Sequence, residues 1–344
     1  MDRTPIGIGV VGMGMMGRAF AQICTEIAET RLAAVADISE GRARAAADRF
    51  GVPSYIAAAD LIERADVQAV VVATPEHAHV EPCLLALKRG KGVLVEKPIA
   101  DSSAAGQTIA DAADQSGAVL LPGHVLRFHP HFVLAKQTVD EGRIGTLRHL
   151  QTRRLASARA QERLQGRCLL PIFLGVHDYD AARWFAESEP VRIYAESQRG
   201  VLQDQGYDVE DIVWTLITFK NGVLAACETG WILPGGHPGG SDGRISVQGS
   251  EGRLDVELMH QGIMLSGPDR SSFLDTLFLP TVRGELRSIF ADELRHFARC
   301  LRGEASPLVT AKDAIAAVRI AEAVILSAQS HRPVWMTAAG TASW

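Results

Sequence analysis

Cysteine is sparse in this chain and never paired at a useful spacing: Cys24, Cys83, Cys168, Cys227 and Cys300 lie far apart in 344 residues. That excludes a CxxC metal ribbon and a disulfide framework, and it fits reduced thiols in a reducing, cytoplasmic compartment. An excess of either charge is also missing. With 35 basic and 40 acidic residues the formal net charge is −5, which gives no electrostatic pull toward nucleic acid. No apolar run approaches the roughly 20 residues needed to cross a bilayer, and the N-terminus lacks a secretory pattern, so neither a membrane nor nucleic acid is expected as a partner. Internal repeats and low-complexity tracts are absent. What is abundant is apolar residue, 47% of the chain, enough to fill two cores.

The most informative segment is Gly12-Met13-Gly14-Met15-Met16-Gly17, which follows the apolar run Ile6 to Val11 and opens a helical stretch. Strand, glycine turn and helix N-terminus together bind a pyrophosphate. Gly12 permits the tight turn, Gly14 lets the backbone approach the phosphates, Gly17 lets helix and strand pack closely, and the N–H groups of the first turn, at Met15 and Met16, face the anion. A second apolar strand ends in Asp37, twenty residues beyond Gly17. An aspartate there accepts the adenosine ribose hydroxyls and repels a 2′-phosphate, and the next residue is Ile38, not an arginine, so NAD is expected over NADP.

Apolar strands and helical patterns alternate up to Leu121, which predicts βαβ units and a doubly wound parallel sheet, a Rossmann domain over residues 1–123. From 124 to 344 the rhythm changes to helices followed by successive strands, which predicts an α+β domain with a mostly antiparallel open sheet. Within it, Asn221-Gly222 predicts a hairpin turn with both central residues at positive φ, and 249–252 predicts a second hairpin. Pro234 to Gly243 reads as a loop. Helices are expected over 171–186, 286–301 and 311–327. The strand 212–219 carries Ile212, Trp214, Leu216 and Phe219, more apolar surface than one layer of helices covers, so a homodimer or homotetramer joined through that sheet is expected.

Val93-Leu94-Val95-Glu96-Lys97-Pro98 is an apolar strand ending in two charges and a proline. Ligands of open parallel sheets bind beyond the carboxyl ends of the strands, which sets Lys97 toward the nicotinamide crevice. Desolvation and a positive nicotinamide ring both disfavour its ammonium form, bringing the amine toward acid/base use. Arg127, which follows a further strand on the same side, is a candidate for the substrate pocket. A basic cluster, Arg153, Arg154, Arg159, Arg163 and Arg167, precedes the helix at 171–186, and each of these reads more readily as solvated than as ligand-binding. Neither His77-Ala78-His79 nor His129-Pro130-His131 has a third ligand at usable spacing, so no metal is expected.

The fingerprint, Thr74-Pro75-Glu76-His77-Ala78-His79 and Glu96-Lys97-Pro98 together resemble the Gfo/Idh/MocA family of dehydrogenases, with Gly123 to Pro130, Glu210-Asp211 and 249–252 similar to its later landmarks. The resemblance implies an NAD(H)-dependent oxidoreductase that moves hydride between nicotinamide and a secondary alcohol or ketone of a sugar, inositol or related polyol. It implies cofactor contacts at Thr74, Pro75, His79, Glu96 and Lys97, with His79 either touching cofactor or capping a helix, and it makes Lys97–Pro98 a candidate cis peptide. The family's second motif, Asp-x-Gly-x-His-x-x-Asp, is met by Gly175, His177 and Asp180, while Phe173 stands in place of the first aspartate. His177 remains a proton acceptor beside Lys97, with Asp180 orienting it and Phe173 beside it one helical turn away. The alternative that Phe173 keeps open is a non-redox or net-redox-neutral NAD-binding protein, a hydrolase using transient oxidation or a sensor.

Overall fold

The computed structural model describes residues 4–259, 262–267, 271–337 and 342–343. They form two compact units, Met1–Phe128 with Thr276–Ile315, and His129–Asp275 with Ala316–Trp344.

In the first unit six strands form one parallel sheet: β1 (Ile6–Val11), β2 (Thr30–Ala36), β3 (Ser54–Tyr55), β4 (Ala69–Val72), β5 (Gly92–Glu96) and β6 (Leu120–Gly123), in the order β3-β2-β1-β4-β5-β6. Every residue of β1, β4 and β5 is buried, which is why these strands read as continuous apolar runs without alternation. The helices are α1 (Met15–Glu26), α2 (Glu40–Phe50), α3 (Ala58–Ile62), α4 (Val80–Lys88) and α5 (Ser103–Ser116). Side-chain caps and glycine stops bracket two of them: Ser39 accepts from Arg42 N and Gly51 closes α2, while Ser102 accepts from Ala105 N and Gly117 closes α5. The doubly wound parallel sheet is therefore as expected from sequence; β3 and α3 are too short to have been read there.

The second unit is built on a mixed sheet. After α6 (Pro130–Asp140) come β7 (Leu147–Ser157), α7 (Ala160–Leu164), a π turn over 171–175, α8 (Val176–Ala186), β8 (Pro190–Gln198), β9 (Ile212–Phe219), β10 (Leu224–Leu233), β11 (Ser241–Gly249) and β12 (Arg253–Glu257). Two short ribbons follow, β13 (Met264–Ser266) with β14 (Ser271–Phe273), and in the first unit β15 (Thr281–Val282) with β16 (Glu285–Leu286). Then come α9 (Ile289–Leu301), α10 (Ala311–Ser330), β17 (Val334–Met336) and β18 (Ala342–Ser343). The sheet order is β12-β11-β7-β10-β9-β8-β17-β18, antiparallel except where β10 runs parallel to β7. α9 belongs to the first unit, whose core it enters with Phe290 edge-on to Phe20, their ring centroids 5.8 Å apart.

Three local expectations need correction. Asn221 is not at positive φ; only Gly222 is, at 88°, so the hairpin is not of the type with two positive-φ residues. Asn221 instead donates from Nδ2 to the Ala186 carbonyl and accepts from Val223 N. The apolar residues of β9 do fall on both faces, as expected: alternation buries Val213, Thr215, Ile217 and Phe219 and leaves Trp214 and Leu216 outside. The loop at 234 ends earlier than Gly243, because Ser241 already pairs with Ala156 in the sheet. The stretch 171–186 is not one α-helix but a π turn leading into α8.

Candidate active site

In the first unit the strand order reverses between β1 and β4, so a crevice opens at their carboxyl ends. The glycine turn after β1 divides its tasks as the sequence implies. Gly12 has φ +93°, and a Cβ there would lie 2.6 Å from the Ala73 carbonyl oxygen; a Cβ on Gly17 would lie 1.7 Å from the Gly12 oxygen. A Cβ on Gly14 would meet nothing within 4 Å. The first and third glycines are thus demanded by the fold, whereas the second faces open space. Gly14 is the N-cap of α1, which has no side-chain cap and no acidic residue in its first turn, so the N–H groups at Met15 and Met16 begin an electropositive helix end.

Asp37, at the end of β2, is fastened to this turn. Its Oδ2 accepts from Met13 N at 2.7 Å and its Oδ1 from Ser39 N at 2.7 Å, while Arg42 donates to both oxygens at 3.1 and 2.8 Å. Burial would raise the carboxyl pKa, but Arg42 and the two backbone N–H groups outweigh it and hold Asp37 below its ordinary value. Ile38 beside it is 88% exposed, an apolar surface at the crevice edge. The grip of Arg42 on Asp37 was not read from sequence, although the i, i+5 spacing across the Ser39 cap was available.

Beyond β4 and β5 the two motif loops are tied together by His79, whose ring nitrogens lie 2.9 Å from the Pro98 carbonyl and 2.9 Å from the Thr74 carbonyl. Burial keeps its pKa below the usual histidine value against the pull of these carbonyls. His79 caps no helix through its side chain, which removes one of its two expected roles. The Lys97–Pro98 bond is cis. Glu96 is buried, with Oε2 accepting from Lys97 N at 3.1 Å, and burial pushes its carboxyl up to about 7 against the opposing charge of Lys97 and that N–H group. Lys97 itself is half-buried. Arg127 is buried and engaged within this unit, donating to the Leu308 carbonyl at 3.2 Å and to Asp313 at 3.4 Å.

In the second unit His177 sits half-buried in the first turn of α8, with Asp178 and Asp180 both buried. Asp178 receives Arg154 of β7 at 2.7 and 3.2 Å; burial raises its pKa, and the guanidinium opposes the rise. Arg153 points the other way, to Glu228 at 2.5 Å and Asp242 at 3.6 Å. Two of the five clustered arginines are therefore braces of the sheet and helix. The π turn changes the register on which Phe173 was expected to lie one turn before His177. Its ring packs edge-on against Trp231 at 6.0 Å, with the Arg163 guanidinium 5.6 Å from its centroid. Trp231 is fully buried, a core aromatic. Gly175 leaves room for Tyr179, whose ring a Cβ there would meet at 2.7 Å. Glu210 and Asp211 fix the approaches to this helix: Glu210 accepts from Leu170 N at 3.2 Å, and Asp211 from Val201 N and Leu202 N at 2.7 and 2.8 Å. An open cleft of about 420 Å³, lined in part by Ser157, Arg159, Glu162, Tyr207 and Ile232, touches none of the expected site residues.

A parallel sheet with an open glycine turn at its switch point and an acid closing its second strand defines a dinucleotide-binding protein. The chain matches an oxidoreductase family with an NAD-binding Rossmann fold over residues 6–124, and a GFO/IDH/MocA C-terminal domain over residues 132–255. It is 30% identical to an inositol 2-dehydrogenase of Rubrobacter xylanophilus, over 96% of this chain and 93% of that one. It is 28% identical to a scyllo-inositol 2-dehydrogenase (NAD(+)) of Bacillus subtilis, over 94% of each. Among solved structures, GenD2 from gentamicin A biosynthesis in complex with NAD superposes with a TM-score of 0.84 at 26% identity, covering 98% of both chains. A probable dehydrogenase from Thermotoga maritima gives 0.83 at 25%, covering 96% of this chain and 98% of that one. The chain belongs to the Gfo/Idh/MocA family of NAD-binding oxidoreductases. The non-redox alternative gains no support from these relatives.

Proposed function

We propose that this oxidoreductase oxidises a ring hydroxyl of an inositol or a closely related cyclic polyol, with NAD as hydride acceptor. The observation that carries the reading is 30% identity to an inositol 2-dehydrogenase across 96% of the chain, joined to the Glu96-Lys97-Pro98 strand end. The first unit supplies the cofactor site and the second unit the substrate and self-association surfaces. The residues present fit the dinucleotide: Gly14 faces open space, α1 begins there without a cap, and Asp37 is held ionised by its donors. When bound, NAD supplies the nicotinamide carbon that takes the hydride. Lys97 holds positive charge near the hydroxyl oxygen as alkoxide character develops, and His177 takes the hydroxyl proton. Asp180 orients His177, and Phe173 presents an apolar face to the ring carbons of the substrate. The expected reach of Arg127 to substrate is not carried forward, because Asp313 and the Leu308 carbonyl hold its guanidinium. NADH absorbance on mixing with NAD and a panel of inositol isomers tests the reading, and absence of NADH with every isomer refutes it.

The second unit leaves an apolar sheet face outside: Trp214 is 43%, Leu216 56%, Leu224 51% and Trp335 51% exposed. A second copy of the chain laid on this face accounts for it, as a dimer or a dimer of dimers. Five buried thiols without a disulfide suit the cytoplasm. Light scattering that finds only monomer at micromolar concentration refutes the association.

A further inference from the structure

Glu293 is fully buried in α9, and among the described residues neither carboxyl oxygen has a hydrogen-bond partner; the same holds for Oε1 of Glu96. Isolated buried carboxyls are costly unless they stay protonated, so one that persists here calls for an account. The packing of α9 on β5 supplies the geometry. A Cβ on Gly92, at the start of β5, would meet Leu301 at 2.2 Å and Phe297 at 3.4 Å. Residues 293, 297 and 301 share one helix face at i, i+4 and i+8. Eight helical residues rise about 12 Å, and the four steps from Gly92 to Glu96 rise about 13 Å, so Glu293 comes level with Glu96 at the strand end that carries Lys97.

We propose that Glu293 is a positioning residue for Lys97: on the alkaline side of neutrality it and Glu96 hold one proton between them, carried on Glu293, so that Glu96 keeps a negative charge beside the lysine. Burial, and then the charge of Glu96, drive Glu293 well above the ordinary carboxyl range; burial also raises Glu96, but only to about 7, because Lys97 and its N–H group oppose it. Two carboxyls so placed cannot both ionise cheaply, and they titrate as a pair. The other titratable groups on the elements packed around Glu293 are committed elsewhere. Arg127 binds Asp313, His296 approaches Leu308 N and Cys300 Sγ, Arg18 binds the Met13 carbonyl, and Glu26 accepts from Leu286 N. His124, after β6, is the remaining one, and of all of these groups only Glu96 is a source of charge on Glu293.

The inference rests on the proposed role of Lys97 only for its kinetic consequence, and the test separates the two. Infrared titration of the full-length protein with ¹³C-labelled glutamate reads the protonated carboxyl stretch directly, without turnover. The wild type is expected to show that band near pH 8, E293Q to lose it there, and E96Q to keep it. In kcat/KM profiles E293Q is expected to retain the wild-type acid limb within a few tenths of a pH unit and to lose the alkaline step. E96Q should lose the acid limb. A merely structural glutamate would instead lower activity equally at all pH. Absence of the protonated band in the wild type overturns the proposal even if E293Q does not fold, and so does an E293Q profile with both limbs unchanged. If no polyol is turned over, the infrared result still decides.

Discussion

Replacing Gly14 and Gly17 by alanine, one at a time, separates cofactor binding from folding within three residues of the same turn. A methyl on Gly14 meets nothing within 4 Å, and the residue sits at φ −70°, where alanine is unstrained. The weaker cap and the reduced freedom of the unfolded chain nearly cancel, so Gly14→Ala should change stability by less than about 1 kcal/mol. The methyl would, however, project into the space where a pyrophosphate approaches the backbone. Displacing it should weaken NAD binding by about 100-fold or more, close to 3 kcal/mol. Gly17→Ala acts in the opposite sense, since its Cβ would lie 1.7 Å from the Gly12 oxygen, a backbone atom that cannot rotate away. Overpacking of that kind should cost about 3 kcal/mol or more of folding stability. Urea unfolding and calorimetric titration with NAD, run on both variants, read the two effects separately. Wild-type NAD affinity in Gly14→Ala would refute the assignment of this turn to the pyrophosphate.

Three further outcomes follow from the same geometry. Asp37→Ala removes the carboxylate that Arg42 grips, leaving a guanidinium able to meet a 2′-phosphate, so the preference for NAD over NADP should narrow by roughly 10- to 100-fold in calorimetric titrations. Glu96 rises from 4.5 to about 7 on folding, so the folded chain binds this proton more tightly than the unfolded chain. The associated stability is fully present below about pH 4.5 and is lost as pH rises through about 7, a change of about 3 kcal/mol that Glu96→Gln should abolish in urea unfolding at the two pH extremes. Phe173→Asp should lower activity on the native substrate, because it places a charge against Trp231 in an apolar contact; higher kcat/KM would mean that the ring does not shape the pocket.

The parallel sheet was legible because its strands are buried on both faces and its helices carry their own start and stop residues, as with Ser39 and Gly51 around α2. The dinucleotide turn was legible because Gly12, Gly17 and Asp37 are each demanded by a local contact, while Gly14 leaves the backbone open. Less of the second unit could be read. The parallel pairing of β10 with β7 joins residues more than seventy positions apart, and no local pattern encodes which neighbour a strand takes. Which face of β9 packs on the helices could not be read, because apolar residues stand on both: Trp214 and Leu216 on one, Phe219 an odd step away on the other. The π turn before α8 inserts a wider turn that the 3.6-residue period does not signal, and it altered the placement of Phe173. Glu293 was invisible for a different reason: a lone glutamate in an amphipathic helix reads as solvated, and only the packing of α9 on β5 buries it.

The central claim is that hydride passes directly from a ring carbon of a cyclic polyol to NAD with Lys97 assisting the oxygen. Its most direct measurement uses inositol isomers deuterated at the ring carbons, with mass spectrometry of the reduced cofactor. The account predicts one deuterium on the nicotinamide of NADH formed by the wild type. It further predicts that Lys97→Met binds NAD with near wild-type affinity but transfers deuterium about 10²- to 10⁴-fold more slowly. Reduced cofactor without deuterium, or a Lys97→Met variant that transfers it at the wild-type rate, would contradict it.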